Sequence, residues 1–199
     1  MKYKIYDKTY NFYYMFDTET GTYVRSGVLN SIGNDTGLDP FMGSFPHLID
    51  IGIMGHCEHG KSKLCINSGV ECYQDGLNKV EKNMNLLQFE SILKQCYKKT
   101  NQVALGGRGD PDQHENFEQI LKITKKYGVV PNYTTSGLGM NDQIAKLTKK
   151  YCGAVAVSWY RSEYTYDSII NLIQYGNTVN IHYVLSKSSI DEAINRLQN

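Results

Sequence analysis

The hydrophobic positions change their period about a quarter of the way along the chain. Residues 11–16 (NFYYMF) are aromatic and strand-prone, 17–21 (DTETG) are turn material, and 22–29 read as a returning strand. A stretch rich in Gly, Asn, Asp and Pro follows over 30–46. Residues 1–46 are therefore expected to form a β-hairpin and a linker. Beyond them, residues 48–54 (LIDIGIM) make a short apolar run, as expected of a strand covered on both faces. Amphipathic segments then alternate with short apolar ones. Helices are predicted over 85–99, 114–127, 141–151, 165–175 and 189–197, and strands over 103–106, 129–135, 154–159 and 178–185. Asn141 is placed to cap its helix, Gly176 suits a left-handed position after the next, and Asp191 and Glu192 favour the first turn of the last.

Five strand–helix units in series require parallel strands with right-handed crossovers, hence an α/β barrel or an open α/β sheet. A full barrel needs eight units. The expectation is a partial (β/α) barrel over residues 47–199, incomplete at its C-terminus, with the hairpin as an N-terminal extension.

Composition narrows the function. Lys and Arg number 21 against 20 Asp and Glu, and no basic run marks a nucleic-acid surface. No apolar stretch approaches the roughly 20 residues that span a bilayer, and residues 1–10 lack the apolar core of a signal peptide. The chain thus reads as cytoplasmic, with neither nucleic acid nor membrane as partner.

Three of its five cysteines, Cys57, Cys65 and Cys72, fall within sixteen residues just after the 48–54 strand. In an unsecreted chain such clustering points to metal binding or catalysis before disulfides. In parallel α/β folds, the loops at that end of the strands build the active site. Three thiolates can bind three irons of a cubane cluster and leave the fourth iron open. With His56 or His59 as a fourth ligand they would equally hold a structural zinc. The loop alone fits both. Cys96 and Cys152 lie on or beside helix faces and read as packing residues.

The rest of the chain separates the two. Cys72 followed by Tyr73 resembles the third cluster cysteine of the radical S-adenosylmethionine (radical SAM) superfamily, which an aromatic residue often follows. Residues 109–117 (GDPDQHENF) are similar to the family's Gly-Glu-Pro segment with its downstream His and Phe, and 134–137 (TTSG) resemble its Thr-Asn-Gly turn. Residues 155–158 (VAVS) resemble the strand whose Ser faces the cofactor, and 179–185 the strand near the adenine. All five occur in the family's order. The resemblance implies a [4Fe-4S] cluster on Cys57, Cys65 and Cys72. It implies S-adenosylmethionine held by Gly106, Gly107, Asp110, Thr135, Ser136, Ser158 and Tyr73, with Arg108 as a further carboxylate partner. The cofactor would be cleaved to a 5′-deoxyadenosyl radical that abstracts hydrogen from a substrate. A reductant such as a flavodoxin or ferredoxin is implied too. Because similar chains modify peptides or activate proteins, so is a peptide or protein substrate. Such a peptide would add to an exposed hairpin edge, although capping the barrel floor is the commoner job for such a hairpin.

Three departures stand out. The cysteines are spaced C-x7-C-x6-C where the family mostly has C-x3-C-x2-C, Asp110 replaces the usual Glu, and only five units are present. A longer flexible loop adds only about 0.6 kcal/mol of closure cost per doubling. Without the resemblance, Gly106 and Gly107 make an ordinary turn, Asp110 caps the next helix, and His114 is a helix-start residue. Two other functions fit the same residues. One is a zinc-stabilised α/β binding module without catalysis. The other is a sugar- or phosphate-handling barrel enzyme with Asp110 and His114 as acid–base groups.

Overall fold

The computed structural model describes residues 1–59, 63, 67, 72, 74–76, 78–159, 163–183, 185, 187 and 190–197. The N-terminal aromatic segment forms β2 (Phe12–Asp17), which buries Phe12, Tyr14 and Phe16 on one face. It pairs antiparallel with β1 (Lys2–Asp7) on one side and β3 (Tyr23–Arg25) on the other. The expected hairpin is thus the second half of a three-stranded sheet. β1 escapes a pattern-based reading because most of its side chains are exposed and leave no apolar stripe. The returning strand is also shorter than expected. Past Arg25 the backbone turns onto side chains instead: Asp35 accepts from the Gly27 and Gly37 amides, and Asn30 from those of Ile32 and Asn34.

The second sheet contains β4 (Leu48–Met54), β5 (Gln102–Gly107), β6 (Val130–Thr135), β7 (Val155–Ser158) and β8 (Val179–His182), all parallel and in chain order. Five helices are described: α1 (Leu86–Cys96), α2 (Phe117–Lys126), α3 (Asp142–Tyr151), α4 (Glu163–Gln174) and α5 (Ile190–Leu197). A strand order without reversal is that of a barrel, not of a doubly wound sheet. The elements therefore match a partial β/α barrel.

Alternation along the strands divides the sheet into two unlike faces. One carries Ile51, Ile53, Val103, Leu105, Tyr133 and Val157 against Phe89 and Leu93 of α1, Phe117, Ile120 and Leu121 of α2, and Leu172 of α4. The other is small or polar. Asp50, Ala104 and Asn132 stand in one row across β4, β5 and β6, Gly52 lies beside Gly106, and Thr134, Ala156 and Asn180 make a row across β6, β7 and β8. β4 is accordingly covered on one face only, with Asp50 and Gly52 exposed, which corrects the expectation of two-sided burial.

Helix starts follow their caps. Asn85 accepts from the Gln88 amide at 2.9 Å while Gln88 reaches back to Asn85, a reciprocal cap that contributes about 1 kcal/mol. Asn141 caps α3 by accepting from Ile144 at 3.1 Å. α2 begins three residues later than its periodicity suggested, because Pro111–Gln113 form a 3-10 turn first.

The N-terminal sheet sits at the N-terminal ends of the parallel strands. Gln102 donates to the Gly21 carbonyl (3.1 Å), Tyr3 to Asn101 Oδ1 (2.7 Å) and Lys125 to the Thr18 carbonyl (2.7 Å). No helix among the described residues is long and apolar enough to cross a membrane.

Candidate functional site

The opposite ends of β4, β5, β6 and β7 carry the residues singled out from the sequence. Gly107 closes β5 at φ +121°, and a Cβ there would stand 2.5 Å from the Met54 carbonyl oxygen. Only glycine lets the two strand ends approach so closely. Gly106 differs: no described atom lies within 4 Å of where its Cβ would be. One glycine serves packing, and the other leaves space.

Cys57 follows the end of β4, half-buried, and Cys72 is exposed at the far side of the same loop. The loop brings them back together at Gly76. A Cβ on Gly76 would lie 3.1 Å from Cys57 Cβ and 3.6 Å from Cys72 Sγ, and the Gly76 amide donates to Cys72 Sγ at 3.4 Å. Cys65 and Tyr73 lie outside the described residues. Among those described, no three His, Cys, Asp or Glu side chains gather as metal ligands. Cys96 is buried on α1 and Cys152 packs against the core, in keeping with packing roles.

Arg108 fastens the base of this loop. It donates to the Gln74 carbonyl (3.0 Å) and the Gly55 carbonyl (3.2 Å), and pairs with Glu81 at 3.2 Å. Its Nε and Nη1 donors are thus turned onto the protein itself.

Asp110 makes no capping bond. Its Oδ1 accepts from the Ser136 amide at 2.9 Å, and its Oδ2 accepts from the Ser136 hydroxyl and faces His59 Nε2 at 3.3 Å. His59 Nε2 also meets Ser136 Oγ. A carboxylate has about four acceptor positions, so one remains on Asp110. Thr135, fully buried, accepts from the Gly137 amide, and Ser136 Oγ accepts from Leu138. These two hydroxyls shape the turn after β6. Ser158 ends β7, half-buried, in register with His182 of β8. His114 is buried between the Met84 carbonyl and the Asn116 amide, 3.0 Å from each, where it fixes the approach to α2.

Two members of this cluster were not legible in the sequence. His59 was visible only as a zinc ligand, yet its ring turns toward Asp110 and Ser136. Asp112 gave no signal at all. It is buried, and neither carboxylate oxygen has a hydrogen-bond partner among the described residues. Burial, reinforced by the negative charge of Asp110, pushes its pKa up to about 7. The folded state thus holds a proton that the unfolded chain releases. The associated stability is fully present below about pH 4 and is lost as the pH rises toward 7. Asp112→Asn will therefore flatten the pH dependence of chemical unfolding over this window. It will also lessen the loss of stability between about pH 4 and pH 7. An unchanged pH profile would refute the buried acid.

No protein-family model and no curated protein matches this sequence. Solved structures do match in shape. They include anSMEcpe with bound AdoMet (15% identity, TM-score 0.58, covering 75% of this chain and 45% of that one). Streptococcus suis SuiB bound to S-adenosylmethionine matches at 19% identity and TM-score 0.58, over 79% of this chain and 38% of that one. BtrN in complex with AdoMet and 2-DOIA matches at 15% and 0.50, over 75% and 60%. SuiB also matches when bound to its precursor peptide SuiA. This chain spans between about a third and three fifths of the length of those proteins. Parallel strands in unbroken order and this shared architecture together give the chain the α/β fold of these S-adenosylmethionine-bound structures.

Proposed function

We propose that this protein is a radical SAM enzyme in which Cys57, Cys65 and Cys72 hold a [4Fe-4S] cluster. The observation that carries the reading is the return of Cys57 and Cys72 to one glycine, Gly76, at the active end of a radical SAM-type sheet. A soft thiolate donor set fits such a cluster, and the missing side chain at Gly76 leaves room beside Cys57 Cβ and Cys72 Sγ. When bound, cluster and S-adenosylmethionine supply a 5′-deoxyadenosyl radical that takes hydrogen from the substrate.

The chain's own residues bind and orient. Gly106 leaves the end of β5 open for close approach to the cofactor, while Gly107 keeps that end against β4. The remaining acceptor position on Asp110 takes an ammonium group. Thr135 and Ser136 hold the β6 turn in place, Ser158 offers a hydroxyl at the end of β7, and Tyr73, outside the described residues, is the remaining cofactor-binding candidate. The cofactor domain is residues 47–199, with 1–46 as N-terminal sheet and linker. A flavodoxin or ferredoxin delivers the electron in the cytoplasm. A peptide or protein is the substrate class, a choice supported by the precursor peptide bound to SuiB.

Protein purified without oxygen will be brown, will contain iron and sulfide, and with a chemical reductant will convert S-adenosylmethionine to 5′-deoxyadenosine. Colourless anaerobic protein carrying stoichiometric zinc would overturn the proposal in favour of the binding module.

A further inference from the structure

We infer that His59 is a positioning residue of this site, fastening the cysteine loop to Asp110 and Ser136. The inference rests on the radical SAM reading for its consequence, though its geometry stands apart from it. His59 lies two residues beyond Cys57 in a loop rich in glycine and lysine, yet it is only 5% exposed. Among the described residues, three segments face it. Asp110 comes from the end of β5, Ser136 from the end of β6, and the Tyr164 ring, 6.3 Å away between centroids, from α4.

The direction of the bonds follows from counting protons. The Ser136 hydroxyl has one, and it goes to Asp110 Oδ2. The contact between His59 Nε2 and Ser136 Oγ then needs the proton of the imidazole, so Nε2–H is the donor to both oxygens. A histidine on the sulfur-bearing loop is thereby tied to the carboxylate that would receive the cofactor's ammonium group. The separation of the two ends of the cofactor site is set through this ring. Asp110, one methylene shorter than the glutamate common in the family, stays drawn against the β6 turn, and His59 brings the loop to it.

The test compares wild type with His59→Ala, His59→Gln and Ser136→Ala, each reconstituted anaerobically with iron and sulfide. Glutamine keeps an N–H donor near the position of Nε2, and Ser136→Ala cuts the same link from the β6 side. All four proteins are expected to hold equal iron. S-adenosylmethionine is expected to alter the paramagnetic resonance spectrum of the reduced cluster in wild type and His59→Gln. In His59→Ala and Ser136→Ala its affinity falls at least about tenfold, the scale of losing a supporting hydrogen bond around a metal site. Wild-type affinity in His59→Ala would overturn the inference. So would loss of iron in both His59 variants, which would make His59 a ligand. A metal-free arm separates this inference from the wider proposal: amide exchange at residues 56–58 is expected to quicken in His59→Ala. If wild type binds no iron, the radical reading falls while exchange still decides whether His59 fastens the loop. Unchanged exchange overturns it.

Discussion

Anaerobically reconstituted Cys57→Ala protein will retain about a tenth or less of the iron bound by wild type, and Cys72→Ala will do the same. In the proposed site three thiolates hold a four-iron cluster with no spare ligand, and removing one leaves two sulfurs that cannot hold a cubane. Cys96→Ala is the matching control. Its sulfur is buried on the core face of α1, far in sequence from the loop, so that variant will bind iron normally and lose about 1 kcal/mol of stability. Iron and sulfide assays on the three proteins, with thermal melts alongside, separate the two roles. Full iron in both Cys57→Ala and Cys72→Ala would mean that these sulfurs are not ligands.

The second large effect falls on stability. Gly107→Ala forces a side chain to adopt φ +121° and drives its Cβ into the Met54 backbone, 2.5 Å from the carbonyl oxygen and 2.7 Å from the nitrogen. Backbone strain and overpacking each cost about 1–3 kcal/mol, and nothing flexible on the Met54 side can give way. A combined loss of about 3 kcal/mol lowers the melting temperature of a chain this size by about 10 °C. Gly106→Ala, one residue earlier, meets open space and will melt within about 2 °C of wild type. Its methyl group points instead at the space proposed for S-adenosylmethionine, so it will weaken cofactor binding without unfolding the protein. If the two variants melt alike, the division of labour between these glycines is wrong.

Much of the fold was legible because each strand and helix must bury a face. The apolar periods of residues 86–96, 117–126 and 142–151 mark helices that lie on the sheet. Where an element buries little, the pattern falls silent, as it does for the exposed β1. Where local chemistry overrides periodicity, boundaries move, as the 3-10 turn at Pro111–Gln113 delays α2. Within the site, Cys57 and Cys72, which meet at Gly76, belong to a clustering of cysteines that is visible along the chain. The Asp110–Ser136 bond is not, since it joins residues 26 positions apart whose types suit many other tasks. Asp112 lay beyond reach for a different reason. An aspartate is ordinarily exposed, and only the packing of its neighbours makes it a buried acid.

Unbroken strand order has one more consequence. Because β4 to β8 follow one another in space as they do in the chain, the functional segments lie like stations along an arc, each touching the next. Energetic coupling in double-mutant cycles should then fade with the number of stations between two residues. Asp110 and Ser136, on adjoining strands and directly bonded, will depart from additivity. Cys57 and Ser158, with two strands between theirs, will act almost independently.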